Sequence, residues 1–403
     1  MARKHFRQVI GSAVILSAVI INSVFGVSAA ANEASTNGAS GNWDGTAAET
    51  YAGGTGTESD PYRITNANEL VLMVQNNATN GSYFSIENDI AINDTSEPTW
   101  YENTDLKNWY STECNGSIAF WGTIFGNGHT ISGLYYKDTE AKERCVGLIP
   151  IAWNTNIYDL TVDDAYLETV GSGVSAFIGF DNWAAINIYR CSAGKNVIIK
   201  SNSSDRLIAG GFIGTVPTGG NGLKIYDSIS AVQFQTGNLE RCGGFIGDCW
   251  GSKNEWGKIE IQRSVSAVEN VPAVRNYYSW RDFWYTYAIC ATTPDACYKS
   301  VTTLTSDQMK GEAAKENMPG LLWDYMWFTQ ENDYPMVKRV CHETAGDINN
   351  DSSVDILDLI KAKKHIAGVA KLTGADYNTA DLDRNSEVNS ADLIRLRKIL
   401  LER

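Results

Sequence analysis

The stretches "NIYDLTV" (residues 156–162), "NIYRCSA" (187–193), "KIYDSIS" (224–230) and "EIQRSVS" (260–266) are four versions of one seven-residue phrase. Ile157, Ile188, Ile225 and Ile261 hold the same place in each, an apolar column suited to a core. Two residues on, Asp159, Arg190, Asp227 and Arg263 alternate in sign. A second phrase interleaves with the first: "CVGLIP" from 145, "VSAFIG" from 174, "AGGFIG" from 209 and "CGGFIG" from 242. Taking Leu148, Phe177, Phe212 and Phe245 as equivalent gives spacings of 29, 35 and 33 residues. Short units repeating every ~20–50 residues mark a solenoid, in which each unit covers its neighbour's apolar face. Helical periodicity is nearly absent, so the expected class is mainly β, a parallel β-helix. Equivalent residues of successive coils then sit about 4.8 Å apart, which makes the alternating charges a ladder of cross-coil ion pairs. These carboxylates read as structural rather than catalytic, each exposed pair contributing ~0–1 kcal/mol.

The flanks extend the pattern. "GTGTESDPYRITNANELVLMVQNNATNGSYFSIENDIAI" (54–92) predicts a strand, a short helix and another strand. Asn66 with Glu69 makes a start like a capping box, and Leu70, Met73 and Val74 share one face. "FWGTIFGNGHTISGLYY" (120–136) follows, and later "LLWDYMWFTQENDYPMVK" (321–338). With the "GGFIG" phrases, these stretches resemble bacterial surface proteins built from GLUG repeats. That resemblance covers most of residues 57–340 and implies a right-handed parallel β-helix. It implies no one activity, because such solenoids serve adhesins, peptidase-like and carbohydrate-active proteins alike.

The tail holds a different repeat. "GDINNDSSVDILDLIKAKKHIAG" (346–368) and "ADLDRNSEVNSADLIRLRKILLE" (380–402) align at an offset of 34 residues. Positions 1, 3, 5, 9 and 12 of the first loop are Asp347, Asn349, Asp351, Asp355 and Asp358. In the second they are Asp381, Asp383, Asn385, Asn389 and Asp392. Ser353 and Glu387, at position 7, would each lend a backbone carbonyl. This is the oxygen-ligand order of an EF-hand loop, so calcium is the expected cofactor, two ions in all. Position 8 is apolar in both, Val354 and Val388. Two departures weaken the match: position 12 is Asp rather than Glu, and position 6 is Ser352 or Ser386 where a sharp turn favours Gly. "CHETAG" and "TGADYNTA" are too short and polar to predict a helix entering either loop.

A calcium loop with only an exit helix, duplicated at a C-terminus, resembles the type I dockerin module, over residues 346–402. The resemblance implies a partner, the cohesin module of a scaffoldin, and a place in a cellulosome. It also implies partner contacts at positions 10 and 11 and further down each helix: Ile356, Leu357, Lys363 and Lys364, and Ser390, Ala391, Arg397 and Lys398. Large apolar residues at 356 and 357 fit a partner face; packing against the second helix is the alternative. Leu359, Ile360 and Ile366 lie at core spacing. Because the copies differ, Ile-Leu against Ser-Ala, one preferred binding orientation is expected.

The start of the chain has basic Arg3, Lys4 and Arg7, an apolar run from Val9 to Val27 and small residues from Ser28 to Ala31. That order predicts a signal peptide over residues 1–30, with an uncleaved anchor as the alternative, and therefore an extracellular, cellulosome- or surface-associated protein. Residues 31–56 are small, polar and Gly-rich, a flexible linker. The β-helix with its caps is then 57–345, and the dockerin-like module 346–403. The whole chain carries 33 basic and 47 acidic residues; removing the three basic residues of the leader takes the net charge from −14 to −17. So acidic a chain disfavours nucleic acid. Of eight cysteines, Cys242 with Cys249 and Cys290 with Cys297 are the best candidates for disulfides, buried thiols being the alternative.

Catalytic residues are not identifiable. His129 sits in a Gly-Asn turn and His342 at the linker to the tail, and Asp163–Asp164 is the only adjacent acidic pair in the repeats, better read as a turn. Dense aromatic clusters remain. Trp100, Trp109, Trp280 and Trp284 are candidate carbohydrate-binding residues, since wetted rings stack on sugar faces; the alternative is that they cap the solenoid ends. Two functions follow, a polysaccharide- or surface-binding subunit of such an assembly, or its polysaccharide-degrading enzyme, a glycoside hydrolase or polysaccharide lyase.

Overall fold

A computed structural model describes residues 41–401, except 76–80, 114–118, 139–143, 171, 183, 202–206, 218–221, 251–258, 276–280, 285, 290–300, 324–325, 338–345, 350–352, 373 and 384–386. The leader therefore lies outside the described residues, as do Trp280, Cys290, Cys297, Asp351, Ser352, Asn385 and Ser386.

The isoleucine column sets the register. Ile157 pairs Ile188, Ile188 pairs Ile225 and Ile225 pairs Ile261, each in parallel. Their strands belong to an eight-stranded sheet that takes one strand from each successive coil, starting at Tyr62–Ile64 and ending at Arg281–Trp284. A second eight-stranded sheet runs alongside, from Ile90–Ala91 through Thr161–Val162 and Ser192–Ala193 to Val301–Thr303. On a further wall Ile149, Ile178, Ile213 and Ile246 pair in order. Leu148, Phe177, Phe212 and Phe245 are all buried; the Phe177 and Phe212 rings meet tilted at 5.0 Å, and those of Phe212 and Phe245 stack at 5.9 Å. The body is a parallel β-solenoid.

Between the two large sheets the chain turns a corner at one residue per coil: Asp159, Arg190, Asp227 or Arg263, all at φ between 48° and 53°. This left-handed conformation costs a non-glycine residue about 1 kcal/mol, so each corner is held by what its side chain does. Arg190 Nε and Nη2 donate to Asp159 at 2.7 and 3.2 Å, and Arg263 Nε and Nη2 donate to Asp227 at 2.9 and 2.8 Å. The ladder pairs as its signs require. It is buried, however, not exposed, so the small surface value does not apply. Deleting one partner would strand a buried charge at about 3–5 kcal/mol.

The glycines of "GGFIG" have a packing cause. A Cβ at Gly211 would lie 1.9 Å from Ser230 Oγ, and one at Gly244 would lie 1.8 Å from Ser266 Oγ. Ala176 stands at the same place one coil earlier, where the facing phrase carries the smaller Ala193. The two phrases thus meet across the interior, and the coils trade volume between them.

The helix Ala67–Gln75 covers the first coil with buried Leu70, Val71, Met73 and Val74. At the other end Met309, Met318, Leu321, Met326 and Trp327 pack with Val265 and Tyr287. Residues 36–403 form one compact unit that includes solenoid and tail. Among the described residues no helix is long and apolar enough to cross a membrane.

Cys242 and Cys249 are free, buried thiols rather than a pair, and burial lifts both above the ordinary thiol range. Their neighbours across the coils, Ala209 and Val216, are core residues, so each cysteine fills a core position of its own. Cys145 is disulfide-bonded and Cys191 is free.

Candidate metal centre and docking face

In the tail, Asp355 caps the helix Ile356–Ile366 by accepting from Leu357 N at 2.7 Å. Asp358 completes a capping box, its Oδ2 accepting from Asp355 N at 2.8 Å, while its Oδ1 accepts from Asn349 N at 2.9 Å. The second copy repeats each contact 34 residues on. Ala391 N donates to Asn389 Oδ1 at 2.8 Å, Asn389 N to Asp392 Oδ2 at 2.7 Å, and Asp383 N to Asp392 Oδ1 at 3.1 Å. Position 12 thus draws positions 3 and 9 together in both loops. Val354 and Val388 are buried in a shared core with Ile348, Leu359, Leu372 and Leu396.

In the second loop, ligand oxygens of Asp381, Asp383 and Asp392 all lie within 4.8 Å of one another. Three hard oxygen donors so placed fit a calcium ion. Without one, burial raises the Asp392 carboxyl above its ordinary value and the neighbouring Asp383 charge adds to this, against three backbone amides that stabilise the anion. Asp347, Asn349, Ser353, Asp355 and Asp358 line the first loop, and Glu387 and Asn389 complete the described part of the second.

A helix does enter the second loop. Gly374–Ala380 is helical, against the expectation from "TGADYNTA". Tertiary contacts hold it: Lys361 Nζ bonds Asp376 Oδ2 at 2.8 Å and Ile348 O at 2.9 Å, and Tyr377 packs against the tail core and the C-terminal cap of the solenoid.

The exit helices bury Leu359 and Leu396 and present the opposite side to solvent. Ile356 is 58% exposed and Leu357 52%, so neither packs on the second helix. Ile360, placed in the core by spacing, is instead 42% exposed, and Ile366 is exposed too. Lys363 and Lys364 continue that face. Its second-copy counterpart holds Ser390, Ala391, Arg397 and Lys398, with Ile394 69% exposed one turn below. Ile360 and Ile394 are 34 residues apart, a match the sequence contained.

The aromatic candidates divide. Trp109 is 1% exposed and donates its indole Nε1–H to Leu148 O at 3.1 Å. It is a cap of the core, and no sugar reaches it. Trp100 is half-buried against Tyr135 in a cluster with Leu106 and Tyr166. Trp284 ends the first sheet, and only its backbone pairing, with Gln262, is described. Unnoticed in the sequence is an exposed pair, Trp121 and Trp153, stacked at 6.0 Å. His129 Nδ1 meets Asp89 Oδ1 at 3.2 Å. Asp163 accepts from Asp164 N and Asn196 N, which makes "DD" a turn. Asp181 is buried, accepts from Ala184 N at 3.1 Å, and burial pushes its carboxyl up to about 7.

A family profile for the dockerin type I domain matches residues 345–401. Over 181 residues, 44% of the chain, the protein is 28% identical to halomucin of Haloquadratum walsbyi, of whose length the match spans 2%. Among solved structures, an immunoglobulin A1 protease candidate from Bacteroides ovatus superposes with a TM-score of 0.41 at 15% identity, over 72% of this chain and 95% of that one. Neither likeness carries an argument about activity.

Proposed function

From the dockerin type I domain that ends this chain, we propose a secreted subunit that two calcium ions hold ready for a scaffoldin cohesin. Type I dockerin domains bind calcium and imply a cohesin partner in a cellulosome-type assembly. The body, a GLUG-like solenoid over 57–345, is then the cargo, which meets plant polysaccharide or a cell surface. The basic-apolar-small leader supports export. The observation that carries the reading is the duplicated loop, matched contact for contact, with the exposed Ile356–Leu357–Ile360 face beside it. Before the tail, residues 31–345 hold 21 basic and 37 acidic residues, a balance that favours neutral glycans over anionic ones.

The test is titration of the full chain into a cohesin with calcium and with chelator. Binding should weaken more than about a thousandfold on chelation, since a metal-organised surface forfeits its folding energy with its ion. Equal affinity in both conditions would sink the reading. Incubating the chain with soluble neutral glycans, and assaying bound glycan, reducing ends and unsaturated products, separates a binding cargo from a hydrolase or lyase.

A further inference from the structure

The outward face of the solenoid's first sheet carries a column of rings. Phe125, Tyr158 and Tyr189 stack at 5.9 and 5.2 Å, and Tyr226 continues it at 5.2 Å edge-on. An outward column on a solenoid should be wet. Yet Phe125, Tyr189 and Tyr226 are buried, and so is the charged ladder at the corner beside them. The second copy of the tail contacts this face. Arg190, already bidentate to Asp159, donates through Nη1 to Asp381 Oδ2 at 3.1 Å, with all three side chains at most 1% exposed. Burial raises the Tyr189 phenol and the Asp383 charge adds to it, while at Arg263 the charges of Asp227 and Glu387 outweigh burial and raise the guanidinium. Arg395 of the second exit helix reaches Glu58 at 3.2 Å on the rim.

We propose that the arginine ladder and tyrosine column are the seat of the second calcium loop, so that calcium binding and closure of this contact are one linked event. Asp381 belongs to the loop's carboxylate triad and is at the same time the acceptor of a body arginine. Arg190 is therefore a positioning residue for the metal site. Charge fixes the sign of the linkage. Among the described residues the contact holds Asp159, Asp227, Glu58, Glu260, Asp381, Asp383, Glu387 and Asp392 against Arg190, Arg263 and Arg395, an excess of five negative charges. A divalent cation relieves that excess, so calcium closes the contact and closure in turn tightens calcium. The exit helix of the first copy keeps its apolar face exposed, at Ile356, Leu357 and Ile360, for the cohesin.

The inference rests on the calcium reading of the tail, and the test separates the two. Hydroxyl-radical footprinting of the unmodified full chain reads side-chain exposure with calcium and with chelator. Labelling of Tyr189 and Tyr226 should rise several-fold on chelation, while that of the interior Phe212 stays unchanged. In parallel, the neutral pair Asp159→Asn with Arg190→Gln, which leaves no stranded charge, should weaken calcium binding at one of the two sites about tenfold by calorimetric titration. Unchanged tyrosine labelling in a chain that still binds two ions overturns the inference and spares the proposed function. Tighter binding in the double variant overturns it as well, because Arg190 would then compete with the ion. No calcium binding at all removes both.

Discussion

The two calcium loops share their internal hydrogen bonds and differ in what lies outside them. In the first copy the residue after the cap is Ile356, with Leu357 and Ile360 beside it, all exposed. In the second, Ser390 and Ala391 occupy those places, while the first ligand, Asp381, is buried against a body arginine. A metal loop is thus a rigid unit that can be faced in either direction. In the proposed reading one copy is the interface for another molecule, and its twin the contact with its own chain.

The division fails first if the seat can be damaged without consequence. Asp227→Arg places a cation against Arg263 and removes the acceptor of Trp327 Nε1. The body should lose about 3–5 kcal/mol in chemical denaturation; a normal midpoint would mean that the buried ladder bears no stability. The apolar face comes next in size. Ile356→Ala with Leu357→Ala should weaken cohesin binding about 10–100-fold, as for paired hot-spot truncations of about 1.4–2.8 kcal/mol. Ser390→Ala with Ala391→Ser should change it about threefold or less. Equal losses would make the copies interchangeable and break the comparison.

How much of this is readable in the sequence depends on what each residue faces. The sign alternation of Asp159, Arg190, Asp227 and Arg263 yields the pairing, because stacked coils force equivalent positions together. It yields no burial, since a pattern along the stack says nothing of what covers the outside. The tyrosines at 158, 189 and 226 recur at one place in the phrase, but the tail seated over them is long-range and leaves no local signal. The tail's domain is legible in its loops, because chemistry fixes donor spacing in a short loop, and of the ligands so named the structure brings Asp381, Asp383 and Asp392 together. Ile360 is misplaced by its spacing because a core stripe on a helix repeats like any other stripe, and only its 34-residue partner Ile394 marks it as repeated surface. The helix Gly374–Ala380 escapes for the opposite reason: its propensity is poor, and Lys361 and Tyr377 supply from elsewhere what the segment lacks. Trp109 shows the limit of composition. A cluster of rings reads alike whether it caps a core or meets a sugar.

The smallest difference between the copies is a titration. His365 in the first exit helix accepts from Leu372 N through Nδ1 at 2.9 Å and meets the Tyr377 ring edge-on. Its counterpart in the second copy, 34 residues on, is Ile399. Burial, and then the Lys371 charge, hold the imidazole below its ordinary value of 6.5. The unfolded chain therefore binds this proton at a higher pH than the folded chain does. Stability is complete above about 6.5 and is lost as pH falls below it, because protonation also removes the acceptor of Leu372 N. In saturating calcium, which keeps the carboxylates out of the titration, the tail's unfolding midpoint by circular dichroism should drop slightly between pH 7.5 and 5.5. His365→Gln, which keeps an acceptor without a titration, should flatten that drop. A slope that survives the substitution would move the pH sensitivity to the loops themselves and erase this last asymmetry between them.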